Sequence, residues 1–231
     1  MKLSQDQIAH LYEFTRQHYV EYYDLQTELV DHLANSIEEQ WQENPKLSFE
    51  AALNVEFKKF GVFGFMDVVE QRIKALNKNY NQIVLNHLKT FFTIPKIFGT
   101  ILSIYFLYLY LINSQFTKGI ITGIMLIEFI TLIIGIVILA QKRKREVLKT
   151  GKKWILNEII FGYSSMAGMS YLFFQLVPGF DGGMKNEFLI MVYSILIIVM
   201  LLLGYIILIL IPSKAEEYLK QTYPEYNLQN L

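Results

Sequence analysis

The chain contains no cysteine. Disulfides, thiolate metal sites and thiol nucleophiles are therefore excluded. Its four histidines, His10, His18, His32 and His87, do not form His-Glu-x-x-His or any other zinc spacing. Glu28 and His32 share a helical face beside Asp31, but two ligands make a poor metal site. There is no Gly-rich phosphate loop and no nucleophile elbow, and beyond isolated carboxylates no catalytic constellation. An enzyme is not the expected reading, and no cofactor is implied. The first twenty residues, rich in Gln, His, Tyr and Glu, lack the basic start and apolar core of a signal peptide.

What is present is apolar and unevenly charged. Hydrophobic residues make up 53% of the 231, and the formal net charge is zero. That zero hides an asymmetry. Residues 1–70 hold thirteen acids and five bases, a net of −8, and residues 71–231 hold eight acids and sixteen bases, a net of +8. An acidic N-terminal segment argues against direct nucleic-acid binding, which needs a basic footprint.

The first third has the periodicity of short amphipathic helices. Ser4 and Gln7 form a capping box. A second helix starts near Asp24, with Leu25, Leu29, Leu33, Ile37 and Trp41 on one face and Glu28, Asp31, Glu38 and Glu39 on others. Asn44-Pro45 stops it. Ser48 caps a third helix, with Glu50 in its first turn and Phe49, Ala52, Leu53, Phe57 and Phe60 inward. Gly61 suits the position after its end. A fourth helix runs from about Phe65, with Val69, Ile73 and Leu76 inward. The aromatics read as core packing. Residues 77–82 (Asn-Lys-Asn-Tyr-Asn-Gln) suggest a break, followed by either an interfacial helix or a stem leading into the first apolar run.

Four apolar runs follow: 91–112, 119–140, 154–177 and 188–211. Each exceeds the roughly 20 residues that cross a hydrocarbon core. Between the middle two lies Gln-Lys-Arg-Lys-Arg-Glu-Val-Leu-Lys-Thr-Gly-Lys-Lys, residues 141–153, with seven bases against one acid. The connections at 113–118 and 178–187 hold one base each, Lys118 and Lys185. This distribution puts the basic stretch and both termini on the cytoplasmic side. The expected fold is all-α: a cytoplasmic helical bundle over 1–79, a stem over 80–92, four spans over 93–211 and a tail over 212–231. The expected location is the bacterial inner membrane, with lipid as the first partner and a second copy of the chain as another admissible one.

Glu128 lies within the second run, where a carboxylate is costly unless protonated, paired or turned inward. It is either a functional proton- or ligand-binding group or a protonated structural carboxyl bonded to Ser, Thr or Tyr of a neighbouring span. Glu158, one turn beyond Trp154, is placed to pair with Lys152 or Lys153. Gly119-x-x-x-Gly123 and Ser164-x-x-x-Gly168 are small-residue pairs that let helices approach. Asp181-Gly182-Gly183 is a turn signature.

The run Asp24-Leu25-x-x-Glu28-Leu29-x-Asp31-His32-Leu33-Ala34-x-x-Ile37-Glu38-Glu39, then Leu47-Ser48-Phe49-Glu50-Ala51-Ala52-Leu53 and Phe60-Gly61, resembles the HAAS domain. That small helical signalling module is associated with helix-turn-helix regulators. Pro45 departs from the pattern, where a Gly-rich turn belongs. The resemblance implies signalling, a place before membrane spans and a PadR-type transcription regulator as partner, and it carries no catalytic residues. Glu28, Asp31, His32, Glu38 and Glu39 become the candidate partner-binding residues and Glu128 the candidate intramembrane one. The expected function is a membrane-anchored regulatory or sensory protein. The alternatives are a small transporter or membrane enzyme using Glu128, and an assembly scaffold. Anionic lipid is expected to hold the basic stretch and leave the acidic bundle free. A partner would then dock on residues 23–41 through apolar side chains left over from the core.

Overall fold

The computed structural model describes residues 2–162, 186–223 and 226. Among these, the chain is all-helical: α1 Gln5–Gln17, α2 Tyr23–Glu43, α3 Phe49–Lys58, α4 Met66–Thr90, α5 Lys96–Ile112, α6 Thr117–Thr150, α7 Ile155–Phe161, α8 Glu187–Ser213 and α9 Ala215–Thr222. It divides into two compact units. One joins Met1–Leu76 to Val147–Leu156, and the other joins Asn77–Glu146 to Asn157–Leu231.

In the first unit the caps form where the sequence places them. The Ser4 hydroxyl accepts from the Gln7 amide, and the Gln7 side chain accepts from the Ser4 amide at 2.8 Å. Ser48 Oγ accepts from the Ala51 amide. Such caps are each worth about 1 kcal/mol. Helix α2 ends at Asn44, before Pro45. Its face of Leu25, Leu29, Leu33, Ile37 and Trp41 is buried with Leu11, Val20, Ala52, Leu53 and Phe65. Phe14, Phe57, Phe60 and Phe65 meet edge to face, at centroid distances of 4.8–6.2 Å. Phe65 is fully buried, and Phe14, Phe57 and Phe60 pack around it half-buried, in line with their spacing.

One core group had no signal in the sequence. Glu56 is buried on the inner side of α3, where it accepts hydrogen bonds from Gln40 and from Lys59, the latter at 2.6 Å. A buried carboxylate is tolerable when it is both paired and hydrogen-bonded.

The break suggested at 77–82 is absent, because α4 runs through it without interruption. Leu76, Tyr80 and Val84 recur every fourth residue and are all buried, so the Asn and Lys residues between them occupy the outer face of one helix. The chain turns instead at 91–95, ahead of α5, where Pro95 lacks the amide a helix interior needs. The first apolar run thus yields a helix of only 17 residues, about 26 Å long at 1.5 Å per residue.

Among the described residues, two helices are long and apolar enough to cross a membrane, α6 and α8. They expose much of their apolar surface, including Ile127, Ile130, Ile134 and Ile138 on α6 and Phe188, Met191, Leu201 and Ile209 on α8. A core helix of a water-soluble domain would bury such residues. The third run is represented by α7 alone. Its remainder, with Ser164, Gly168 and the turn at Asp181, lies outside the described residues. Helix α5 packs against α8. Among the described residues, a β-carbon at Gly123 would meet nothing within 4 Å. Gly135 serves helix approach, since a β-carbon there would lie 2.6 Å from Leu208 of α8.

Outside the apolar helices, His87 near the end of α4 shares a hydrogen bond of 2.8 Å with the Tyr218 hydroxyl of α9. Burial, and then the charges of Lys214 and Lys96, hold the His87 imidazole below its ordinary pKa. The folded chain therefore binds this proton less readily than the unfolded chain. The stabilisation is fully present above about pH 6.5, the free imidazole value, and is lost as pH falls from there through the folded value. Thermal unfolding of the full chain in detergent should accordingly show a lower midpoint at pH 5 than at pH 7.5. His87→Gln, which keeps a hydrogen-bonding group without the titration, should narrow that difference.

Candidate functional site

Three places hold chemistry. The first is the start of α2. Tyr22 occupies the N-cap and offers no side-chain cap. The unmet donors of a helix start need acceptors from elsewhere, and residues 152–155 supply the setting. The Tyr23 amide donates to the Lys153 carbonyl at 2.7 Å. The Tyr23 ring lies between the Lys152 ammonium, 3.8 Å from its centroid, and the edge of Trp154 at 5.4 Å. The Lys153 ammonium pairs with Glu21 at 2.6 Å. The Ile155 amide donates to Asp24 at 3.4 Å, and Trp154, Ile155 and Leu156 are buried. The last part of the basic stretch is therefore built into the acidic helical unit. Lipid was the expected occupant of the stretch, and here Lys152 and Lys153 face Tyr23 and Glu21. The tether makes these contacts effectively intramolecular, and three buried apolar side chains add what lipid headgroups cannot.

The rest of the stretch is not a loop, because α6 continues to Thr150. The partner of Glu158 is also corrected. It is Arg143, at 3.0 Å, since Lys152 and Lys153 are engaged at α2. Beside that pair the Asn157 amide donates to Glu146 at 3.1 Å.

The second place is the exposed side of the helical unit. Glu28 is exposed and lies 3.8 Å from Arg72. His32 is exposed, with its ring edge-on to Phe60 at 6.0 Å. Glu38 accepts from the Leu3 amide at 3.0 Å, while Asp31 and Glu39 are exposed. These five residues do not converge on a point. Among the described residues no three His, Asp or Glu side chains gather where one metal ion would reach them. The apolar side chains of α2 are spent on the core, so a docking face of leftover apolar groups there is not available.

An apolar face exists elsewhere, and sequence periodicity could not reveal it. Gly61 and Gly64 both adopt positive φ, +78° and +55°, and turn the chain sharply between α3 and α4. A β-carbon at Gly64 would press on the Phe57 ring at 2.9 Å. The turn projects Val62, 98% exposed, and Phe63, 69% exposed. Beside them, Tyr19, Met66, Val69 and Ile73 with Phe63 line a shallow depression that carries Asp67 and Glu70. The Gly-Val-Phe-Gly string was the available signal.

The third place is Glu128. It faces inward, with 7% of its surface exposed, as its position in an otherwise apolar stretch required. The described residues supply no Ser, Thr or Tyr bond to it. Among the described residues, neither carboxyl oxygen has a hydrogen-bond partner. Glu128 lines a cavity of about 240 Å³ between α6 and α8.

The chain matches no protein-family model, no curated protein and no solved structure.

Trp154→Ala should loosen the α2 contact by about 3–5 kcal/mol, the usual cost of truncating a buried large aromatic. Hydrogen exchange on the full chain should then register faster exchange at the Tyr23 amide, with α6 residues before 140 unchanged.

Proposed function

We propose that this chain is a multi-pass regulatory protein of the bacterial inner membrane, with a HAAS-like helical unit that binds a soluble cytoplasmic protein. The observation that carries the reading is the Gly61–Gly64 turn, which displays Val62 and Phe63 in water next to Asp67 and Glu70. Apolar tips with an acidic rim suit a protein surface that offers a hydrophobic pocket edged by Lys or Arg. They suit an anionic lipid surface poorly, because the first seventy residues carry a net charge of −8. A PadR-type regulator fits as occupant, given the resemblance of residues 23–61 to the HAAS pattern. Residues 152–156 are part of the same helical unit and follow α6 directly in the chain. A change in α6 would therefore reach the unit through the start of α2.

The membrane layout within this proposal has both termini cytoplasmic and four crossings, the third of them starting beyond Leu156. Reporter fusions after residue 115 should read external, and fusions after 147 and 225 internal. An external reading at 147 would overturn the layout.

The docking face has its own test. A photo-crosslinking amino acid at position 63 of the full-length protein, in native membranes, should trap a helix-turn-helix regulator, and one at position 39 should trap far less. Crosslinks from position 63 to lipid alone would sink the proposal.

A second reading, a small transporter or membrane enzyme, draws on Glu128 alone, buried and without a partner among the described residues.

A further inference from the structure

The cavity between α6 and α8 is apolar apart from three groups. Its lining includes Leu132, Met200, Leu208 and Ile209, and the lining residues with polar side-chain atoms are Glu128, Thr131 and Tyr205. The Thr131 hydroxyl donates to the Ile127 carbonyl of its own helix at 2.8 Å, so its proton is committed. Glu128 has both oxygens buried and without a partner among the described residues. Among the described residues, no Lys, Arg or His lines the space.

Two features of the backbone keep the cavity open. Gly204 contributes no side chain, and a β-carbon there would only touch Leu132, at 3.6 Å. The next residues, Ile206–Leu210, form a π-helical turn, which places Leu208 and Ile209 on the cavity wall. Such turns are rare and are found frequently at functional sites. Here the wider turn and the missing side chain at 204 adjoin the same space.

An anion has nothing to bind in this lining. A purely apolar guest would leave the carboxyl as unsatisfied as before, at the full desolvation cost of a buried polar group. A cation with an apolar body removes that deficit by pairing with Glu128. The volume of about 240 Å³ lies below the usual 300–1,000 Å³ of ligand pockets, so the body must be small. We propose that the α6–α8 cavity is a binding site for a small lipophilic cation, with Glu128 as its counter-ion. This is independent of whether the helical unit docks a regulator.

The probe is tritiated benzyltrimethylammonium, whose charge is permanent, and the control is its neutral isostere neopentylbenzene. Equilibrium dialysis against the full-length protein in phosphatidylcholine nanodiscs should find saturable binding of the cation. Glu128→Gln should weaken it by about tenfold or more, and Glu128→Asp should retain part of it. Gly204→Leu keeps the carboxyl and fills the space, so it should abolish binding while leaving the elution profile and melting of the protein intact. Neopentylbenzene should not compete at concentrations where the unlabelled cation does. Absence of saturable binding to the wild type, equal binding to Glu128→Gln, or equal competition by the neutral isostere would each overturn the assignment. If Glu128→Gln does not fold, Gly204→Leu decides alone, and unchanged binding to that variant refutes the site.

Discussion

The N-terminal unit depends on residues 153–156, where Trp154 packs on Tyr23 at the start of α2, the Ile155 amide donates to Asp24, and Ile155 and Leu156 are buried. Small helical domains bury little area for their length and need every large side chain they can recruit. This one recruits from residues that follow α6 in the chain. It also leaves the first turn of α2 without a side-chain cap, and the Lys153 carbonyl answers one of the open donors. A helix start whose acceptor arrives from a remote segment is stable only while that segment is in place. The charges around it, Lys153 with Glu21 and Lys152 over Tyr23, add modest amounts in exposed surroundings. The apolar triad contributes more, at roughly 1.5–3 kcal/mol for each large side chain fully buried.

Local signals in the sequence were faithful where the physics is local. Ser4 with Gln7, Ser48, Asn44-Pro45 and Gly61 each act within one turn of chain, and each stands where the pattern placed it. The polar string at 77–82 misled because composition was weighed over period. Leu76, Tyr80 and Val84 keep helical spacing through it, and burial of one face outweighs weak propensity on the other. The real stop, Pro95, lay inside the first apolar run, where hydropathy averages conceal a break.

The basic stretch is the instructive failure. A count of seven bases against one acid treats residues 141–153 as one object, yet the chain uses them in three ways. Residues to Thr150 extend α6, and Arg143 pairs with Glu158. Lys152 and Lys153 serve the start of α2. No pattern within the stretch distinguishes these roles, because each is set by what stands opposite in space. Glu158 is the same lesson in miniature: Lys152 and Lys153 were nearer in sequence, and Arg143 is nearer in the fold. Glu56 left no trace either, since a glutamate on a short helix reads as solvent-facing until Gln40 and Lys59 are seen to close on it.

Glu128 and Glu56 together define what the chain does with buried acid. Both are nearly fully buried, yet Glu56 is surrounded by donors and Glu128 has none among the described residues. Folding accounts for Glu56, because its bonds fasten α3 to α2 within one core. Folding does not account for Glu128 in the same way. A leucine there would pack the α6–α8 space without the cost of an unsatisfied carboxyl, and the neighbouring Gly204 and π-helical turn hold room open where a packed seam would be more stable. Three departures from the stablest local choice, all lining or adjoining one cavity, are what a binding site looks like before its ligand arrives.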